Sequence, residues 1–339
     1  MKTSTRHLKN SLMAVLRAGV VPYIMSSPGM SKSAQIAQLA KENKLKLIDI
    51  RLAQCEPSDL NGLPFMNHET NKAQFFPFDM YPLEGQEVPD GYNGWLLLLD
   101  ELGQAPVSVQ SAAFKLILDR QVGMHNLHPK VAIVAAGNLK SDKAGVSKMS
   151  TALQSRMAHF ELEMDHESWI DWANQNEVDH RIISYINFNP KHLHNFNPNH
   201  TDYTFACPRT WEFLSNIIKN EETLDPNNLN IYSSVIGEGV AREFYAYTQI
   251  FEDLPTIKEI IANPFNASIG NEKSAKFAIT GLVSSKMTKS NSEKLMQYLN
   301  RLPVEFQIIC MKGLAKRTSS YYTFSGVAEW SAKIGHKFL

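Results

Sequence analysis

The chain has 339 residues, of which 34 are Lys or Arg and 34 are Asp or Glu, so its formal net charge is zero; 43% are hydrophobic and 20% charged. That length implies two or three domains, and the composition argues against a disordered tail or a fibrous protein. The tied charges speak against a dedicated nucleic-acid binder or a polybasic membrane surface.

The opening MKTSTRHLKNSLMAVLRAGVVPYIM is basic and then apolar, but Arg17 and Pro22 interrupt it and no small-residue cleavage site follows. Val20 to Met25 is predicted as a strand, SSPGMSKS as a loop and AQIAQLAKENK as a helix with Ile36, Leu39 and Ala40 on one side. A second strand is expected at Leu45 to Leu52, followed by the turn-rich CEPSDLNGLP. LPFMN and KAQFFPF, flanking HETN, are compatible with a hairpin inside an aromatic and proline-rich insert from Phe65 to Tyr92. That insert is read mainly as packing, with contact to a substrate as the other possibility.

GWLLLLDE is a nearly continuous apolar run, as expected of a strand covered on both faces of a parallel sheet. VSVQSAAFKLILDRQ then reads as a helix, VAIVAAGN as another buried strand, and HFELE as a fifth, shorter one. The run Trp95 to Leu99 is far short of the roughly 20 residues that cross a bilayer. Strands alternating with helices to about residue 165 predict an α/β layered domain with a mostly parallel five-stranded sheet. From ESWIDWANQ onward the pattern is all-α, with Asn263 to Ser274 as a further boundary. The expected domains are an α/β core at 1–165, a helical segment at 166–262 and a helical extension at 263–339. Cys55, Cys207 and Cys310 show no CxxC pair or zinc spacing, which fits a reducing cytoplasm. His192, His194 and His200 read as solvated loop residues, and Trp169, Trp172 and Phe188 as lid core.

SSPGMSKS occupies the strand-to-helix corner of a phosphate-binding loop and matches GxxxxGK[ST] except that serines replace both terminal glycines. Such a loop, here Ser26, Ser27, Pro28, Gly29, Met30 and Ser31, wraps backbone N–H groups around phosphates; Lys32 supplies charge and Ser33 a hydroxyl for Mg²⁺. The extra Cβ atoms at Ser26 and Ser31 are cheap if φ stays negative, at about 1 kcal/mol or less each. LLLLDE delivers Asp100 toward the metal and Glu101 toward an attacking water.

Taken together the motifs resemble those of an AAA+ ATPase, specifically the MoxR branch with its phage- and prophage-encoded relatives. QCEPSDLNG resembles the polar segment after the second strand of that family. VAIVAAGN ends in Asn138 at the place of the first sensor; TALQSRMAHFELE resembles the segment carrying the arginine finger, which implies that role for Arg156; ACPRTWEFLS resembles the second sensor, which implies Arg209. The motifs fall in order over about residues 18 to 250. Arg120 is a second, less favoured trans arginine, and the Asp142–Lys143 loop and the Phe65–Tyr92 insert are secondary candidates for client contact. The resemblance implies ATP and Mg²⁺ as cofactors, a homo-oligomeric ring with a hexamer as the expected form, an unidentified protein client and a partner with a von Willebrand factor A domain. Two rivals remain: a nucleotide-gated structural or adaptor ring subunit with little hydrolysis, motivated by the serine-substituted loop, and a DNA-directed motor or loader, which the zero net charge disfavours.

Overall fold

The computed structural model describes residues 2–334 except Thr70, Lys143, Ala144 and Lys148, and divides the chain into two compact units, Met1–Met164 and Asp165–Leu339. The first unit contains, in chain order, β1 (Lys2–Ser4), α1 (Thr5–Arg17), β2 (Val21–Ser26), α2 (Lys32–Glu42), β3 (Leu45–Arg51), α3 (Pro57–Asn61), β4 (Leu63–Asn67), β5 (Lys72–Phe76), β6 (Gly94–Asp100), α4 (Val107–Leu118), β7 (Gln121–Val122), β8 (His125–Asn126), β9 (Val131–Asn138), α5 (Thr151–Gln154) and β10 (Met157–Glu163).

Its central sheet has six strands in the order β1-β10-β2-β9-β6-β3, all pairs parallel. The sequence predicts five. The sixth, β1, is a polar three-residue edge that carries no apolar run, and Lys2 ties it to Glu163 with a 2.7 Å ion pair. The helix α1, interrupted in hydropathy by polar residues, buries only Leu8 and Leu12.

The apolar runs of β6 and β9 arise because both faces of the sheet are covered. Leu96 and Leu98 face one side with Ile24, Val134, Ala136, Ile36 of α2 and Leu8 of α1. Leu97 and Leu99 face the other with Tyr23, Ile133, Ala135 and Val109, Ala113 and Leu116 of α4. All four leucines are fully buried, each contributing about 1.5–3 kcal/mol.

β4 and β5 form the expected hairpin. Its packing differs from the expectation: Phe65, Phe75 and Phe76 are 44–54% exposed, whereas Tyr81 of the same insert is fully buried and donates to the Asp59 carbonyl. Gly62 enters this hairpin at φ +90, and a Cβ there would lie 2.2 Å from the Phe76 carbonyl oxygen, so only glycine fits. Arg120 donates to the Val131 carbonyl and is engaged within its own unit.

The second unit is helical, beginning with α6 (His166–Gln175), α7 (His180–Phe188) and α8 (Pro208–Ile218). The helix Lys273–Lys286 packs along α7, and the helix Val304–Arg317 along α6. Trp169 is buried as expected, but Phe188 is 41% exposed and stacks on Tyr247. His192 is not a solvated loop residue: its Nδ1 lies 2.6 Å from the Tyr185 hydroxyl, and its carbonyl accepts from the Trp211 indole. Local composition hid this, because the partners come from α7 and α8. His194 packs edge-on against Phe205, and His200 is exposed. The three cysteines are free, and among the described residues no group of three or more His, Cys, Asp or Glu could hold a metal ion.

Candidate phosphate and metal site

β2 ends at Ser26, and the chain turns through Ser27–Ser31 into α2. The turn uses left-handed backbone at two residues, Gly29 (φ +78) and Ser31 (φ +56). Ser26 stays extended, is fully buried and carries no such strain. Ser31 does not keep the negative φ on which the low sequence-based cost rests. Left-handed backbone costs an L-residue roughly 1–2 kcal/mol, which a glycine would not incur.

The ammonium of Lys32, first residue of α2, lies 2.9 Å from the Ser26 hydroxyl, 3.2 Å from the Ser26 carbonyl and 3.0 Å from Oδ1 of Asn138. β9 runs directly beside β2, with Asn138 in register with Ser26, and this pairing brings Asn138 to Lys32, 106 positions before it. From the next strand, β6, Asp100 accepts a 2.6 Å hydrogen bond from the Ser33 hydroxyl through Oδ2 and another from the Glu101 N–H at 2.8 Å through Oδ1. Both carboxylate oxygens are thereby oriented.

Glu101 has φ +58, because the chain leaves the sheet abruptly: Leu102 N–H bonds the Ala136 carbonyl, and the Glu101 carbonyl accepts from Gln104 and Ala105. A non-glycine residue held in this region is uncommon and stores strain that its surroundings must impose. Lys32, Ser33, Asp100, Glu101 and Asn138 therefore gather at the C-terminal ends of three adjacent strands. The chain has an α/β P-loop fold.

Arg156 makes none of these contacts. It is exposed, donates to the Ala152 carbonyl at 2.7 Å, and holds its guanidinium 5.1 Å from the centre of the Phe114 ring. Arg209 belongs to the second unit, exposed in the first turn of α8 just after Pro208. Asp142 is buried with Oδ2 unbonded among the described residues, while Lys143 lies outside them.

Sequence reasoning missed two charged neighbours. Parallel pairing sets Arg51 opposite Asp100 and Asp49 opposite Leu98, so both share the sheet face of Asp100. Partial burial, and then the charge of Asp100, hold the Asp49 carboxyl above the usual carboxylate range, while Arg51 pulls it back. No local motif marks LIDIR; only the strand register reveals it.

The donor chemistry fits a hydrated magnesium ion. A hydroxyl and a carboxylate side by side are hard oxygen ligands of the kind Mg²⁺ takes together with waters and phosphate oxygens. Lys32, now surrounded by oxygens of its own chain, has the charge to exchange them for phosphate oxygens.

No protein-family model matches the chain, and no curated protein matches its sequence. Among solved structures, a candidate ATPase from Cytophaga hutchinsonii aligns over 99% of this chain and 90% of its own, at 17% identity and a TM-score of 0.38. NtrX from Brucella abortus aligns over 96% and 67%, at 11% identity and a TM-score of 0.39. A point mutant of RuvB from Thermotoga maritima aligns over 77% and 75%, at 14% identity and a TM-score of 0.41. These likenesses are partial, and the fold is defined by the chain's own strand order and loop. Among the described residues no helix is long and apolar enough to cross a membrane.

Proposed function

We propose that this chain is a Mg²⁺-dependent ATPase of the AAA+ class, of the MoxR kind, acting in the cytoplasm as a homo-oligomeric ring, a hexamer, that remodels or activates a partner protein. The observation that carries the reading is the convergence of Lys32, Asn138, Ser33 and Asp100 at three neighbouring strand ends. Lys32 and the Ser26–Ser31 loop bind the phosphates; Ser33 and Asp100 hold Mg²⁺, which when bound offsets phosphate charge. Glu101 orients the attacking water and takes its proton, and Asn138 fixes that water against the terminal phosphate. Arg156 is the arginine offered to a neighbouring copy's site, where such a residue is worth about 10³–10⁵ in rate. Arg209 senses the phosphates from the helical unit, whose residues 166–262 are the lid and 263–339 an extension. The MoxR motif pattern, rather than any contact in the structure, motivates a client protein, a von Willebrand factor A domain partner and a phage or prophage setting.

The deciding measurement compares ATP turnover and assembly state in the parent, Lys32→Ala, Glu101→Gln and Arg156→Ala. Lys32→Ala is expected to lose nucleotide binding, Glu101→Gln to accumulate ATP-bound rings, and Arg156→Ala to bind without turning over. Equal turnover in all four refutes the assignment.

A second reading has one observation in its favour, the left-handed Ser31 where glycine is the low-cost residue. On that reading the chain is a nucleotide-gated ring subunit with little hydrolysis. ATP-dependent assembly with background turnover, unchanged by Glu101→Gln, would establish it.

A further inference from the structure

Side chains alternate along β2, so Ile24 faces α2 while Tyr23 and Met25 face the opposite side of the sheet. On that side, at the C-terminal ends of β2 and β9 and beside His159 near the start of β10, lies a cavity of about 570 Å³ bordered also by Val146, Ser147 and Met149. Its size falls within the roughly 300–1,000 Å³ of small-molecule sites, and ends of parallel strands are where α/β sheets hold ligands.

Tyr23 marks this space as more than a packing gap. The residue is 3% exposed, yet its hydroxyl hydrogen-bonds no described residue and borders the cavity. Burial pushes its pKa up to about 12, so it is a neutral donor at physiological pH. That hydroxyl opens onto the cavity, and a ligand acceptor entering there would take its hydrogen bond in place of water.

The rest of the lining defines the ligand class. Ser147 and Thr151 add hydroxyls, Lys140 adds a cation at the rim, and Met25 and Met149 form apolar walls. Among the described residues that line it there is no Asp or Glu. We infer that this cavity binds a small, mainly apolar organic acid, its ring between the methionines and its anionic head toward Tyr23 and Lys140.

The cavity also touches the machinery beside it. A Cβ on Gly137 would lie 2.4 Å from the Tyr23 hydroxyl and one on Gly103 3.0 Å, so that hydroxyl rests on the backbone of β9 and of the turn after β6. Asn138 follows Gly137, lines the cavity and holds Lys32. A bound acid therefore bears on Asn138 from behind. This coupling rests on the nucleotide reading; binding of the acid does not.

The test uses 8-anilinonaphthalene-1-sulfonate, an aromatic sulfonate that fluoresces when bound, with the full chain in the double-variant background Phe65→Ser and Phe76→Ser to remove the exposed hairpin aromatics. One saturable component is expected. It should weaken at least about threefold in Tyr23→Phe, which deletes only the hydroxyl, and at least about tenfold in Ser147→Trp, which fills the space, and it should persist in saturating MgATP. Binding of a fluorescent ATP analogue, measured on the same proteins, reports the nucleotide site separately. Absence of a saturable component, one unchanged in Tyr23→Phe, or one displaced by MgATP overturns the inference. Tyr23→Phe decides the matter even if Ser147→Trp fails to fold.

Discussion

Ser27 and Ser31 lie in the same loop, four residues apart, and differ in backbone hand: Ser31 has φ +56, whereas Ser27 is not among the positive-φ residues. Replacing each by glycine therefore applies the same chemical change to two conformations. At Ser27 the change brings only the greater freedom of glycine in the unfolded chain, a loss of about 0.5–1 kcal/mol. At Ser31 that loss is set against relief of roughly 1–2 kcal/mol of left-handed strain, leaving a net gain of roughly 0.5–1 kcal/mol. The two variants should thus differ by roughly 1–2 kcal/mol, with opposite signs relative to the parent. For a unit of this size each kcal/mol moves the melting temperature by about 2–4 °C, so calorimetry should separate the two variants by several degrees. If both variants shift equally and in the same direction, the strain assigned to Ser31 is absent and the argument for the slow-hydrolysis reading falls with it.

Ser33→Ala removes one of the two proposed Mg²⁺ donors while leaving Lys32 and its partners in place. The Mg²⁺ concentration for half-maximal turnover should rise at least about tenfold, with metal-free nucleotide binding little changed, as read by a magnesium titration of ATPase rate; an unshifted titration removes Ser33 from the metal. In the helical unit, burial, reinforced by Arg181 and Lys286, lowers His180 to about 4 although Asp179 opposes it. The neutral form is the folded one, so its stabilisation is complete above the unfolded value of 6.5 and is lost as pH falls from 6.5 toward 4. His180→Gln should flatten that part of the melting-temperature profile, and an unchanged slope would show that another group controls it.

Much of the first unit was legible because its strands are buried on both faces. β6 and β9 announce themselves as apolar runs, and the helices as stripes of Ile36 and Leu39 or of Val109, Ala113 and Leu116. β1 was not legible, since three polar edge residues gain their strand from β10 rather than from their own pattern. The site divides in the same way. Lys32, Ser33, Asp100 and Glu101 follow from local motifs, whereas the contact of Lys32 with Asn138 and the place of Asp49 beside Asp100 depend on which strands become neighbours. The hand of Ser31 was hidden too, because serine tolerates either sign of φ at modest cost.

The strand order has a consequence for how the protein is made. Both neighbours of β2, namely β9 and β10, lie more than a hundred residues downstream, and β1 waits for the last strand of its unit. Such distant pairings close late and slowly. On the ribosome the phosphate loop would emerge early on a strand with nothing to pair with, and Lys32 would acquire Asn138 only after the chain had grown past β9. On the proposed function, nucleotide binding would then require a finished sheet, and a nascent chain truncated before residue 138 should show no affinity for nucleotide, leaving apolar β2 and β6 to the care of chaperones.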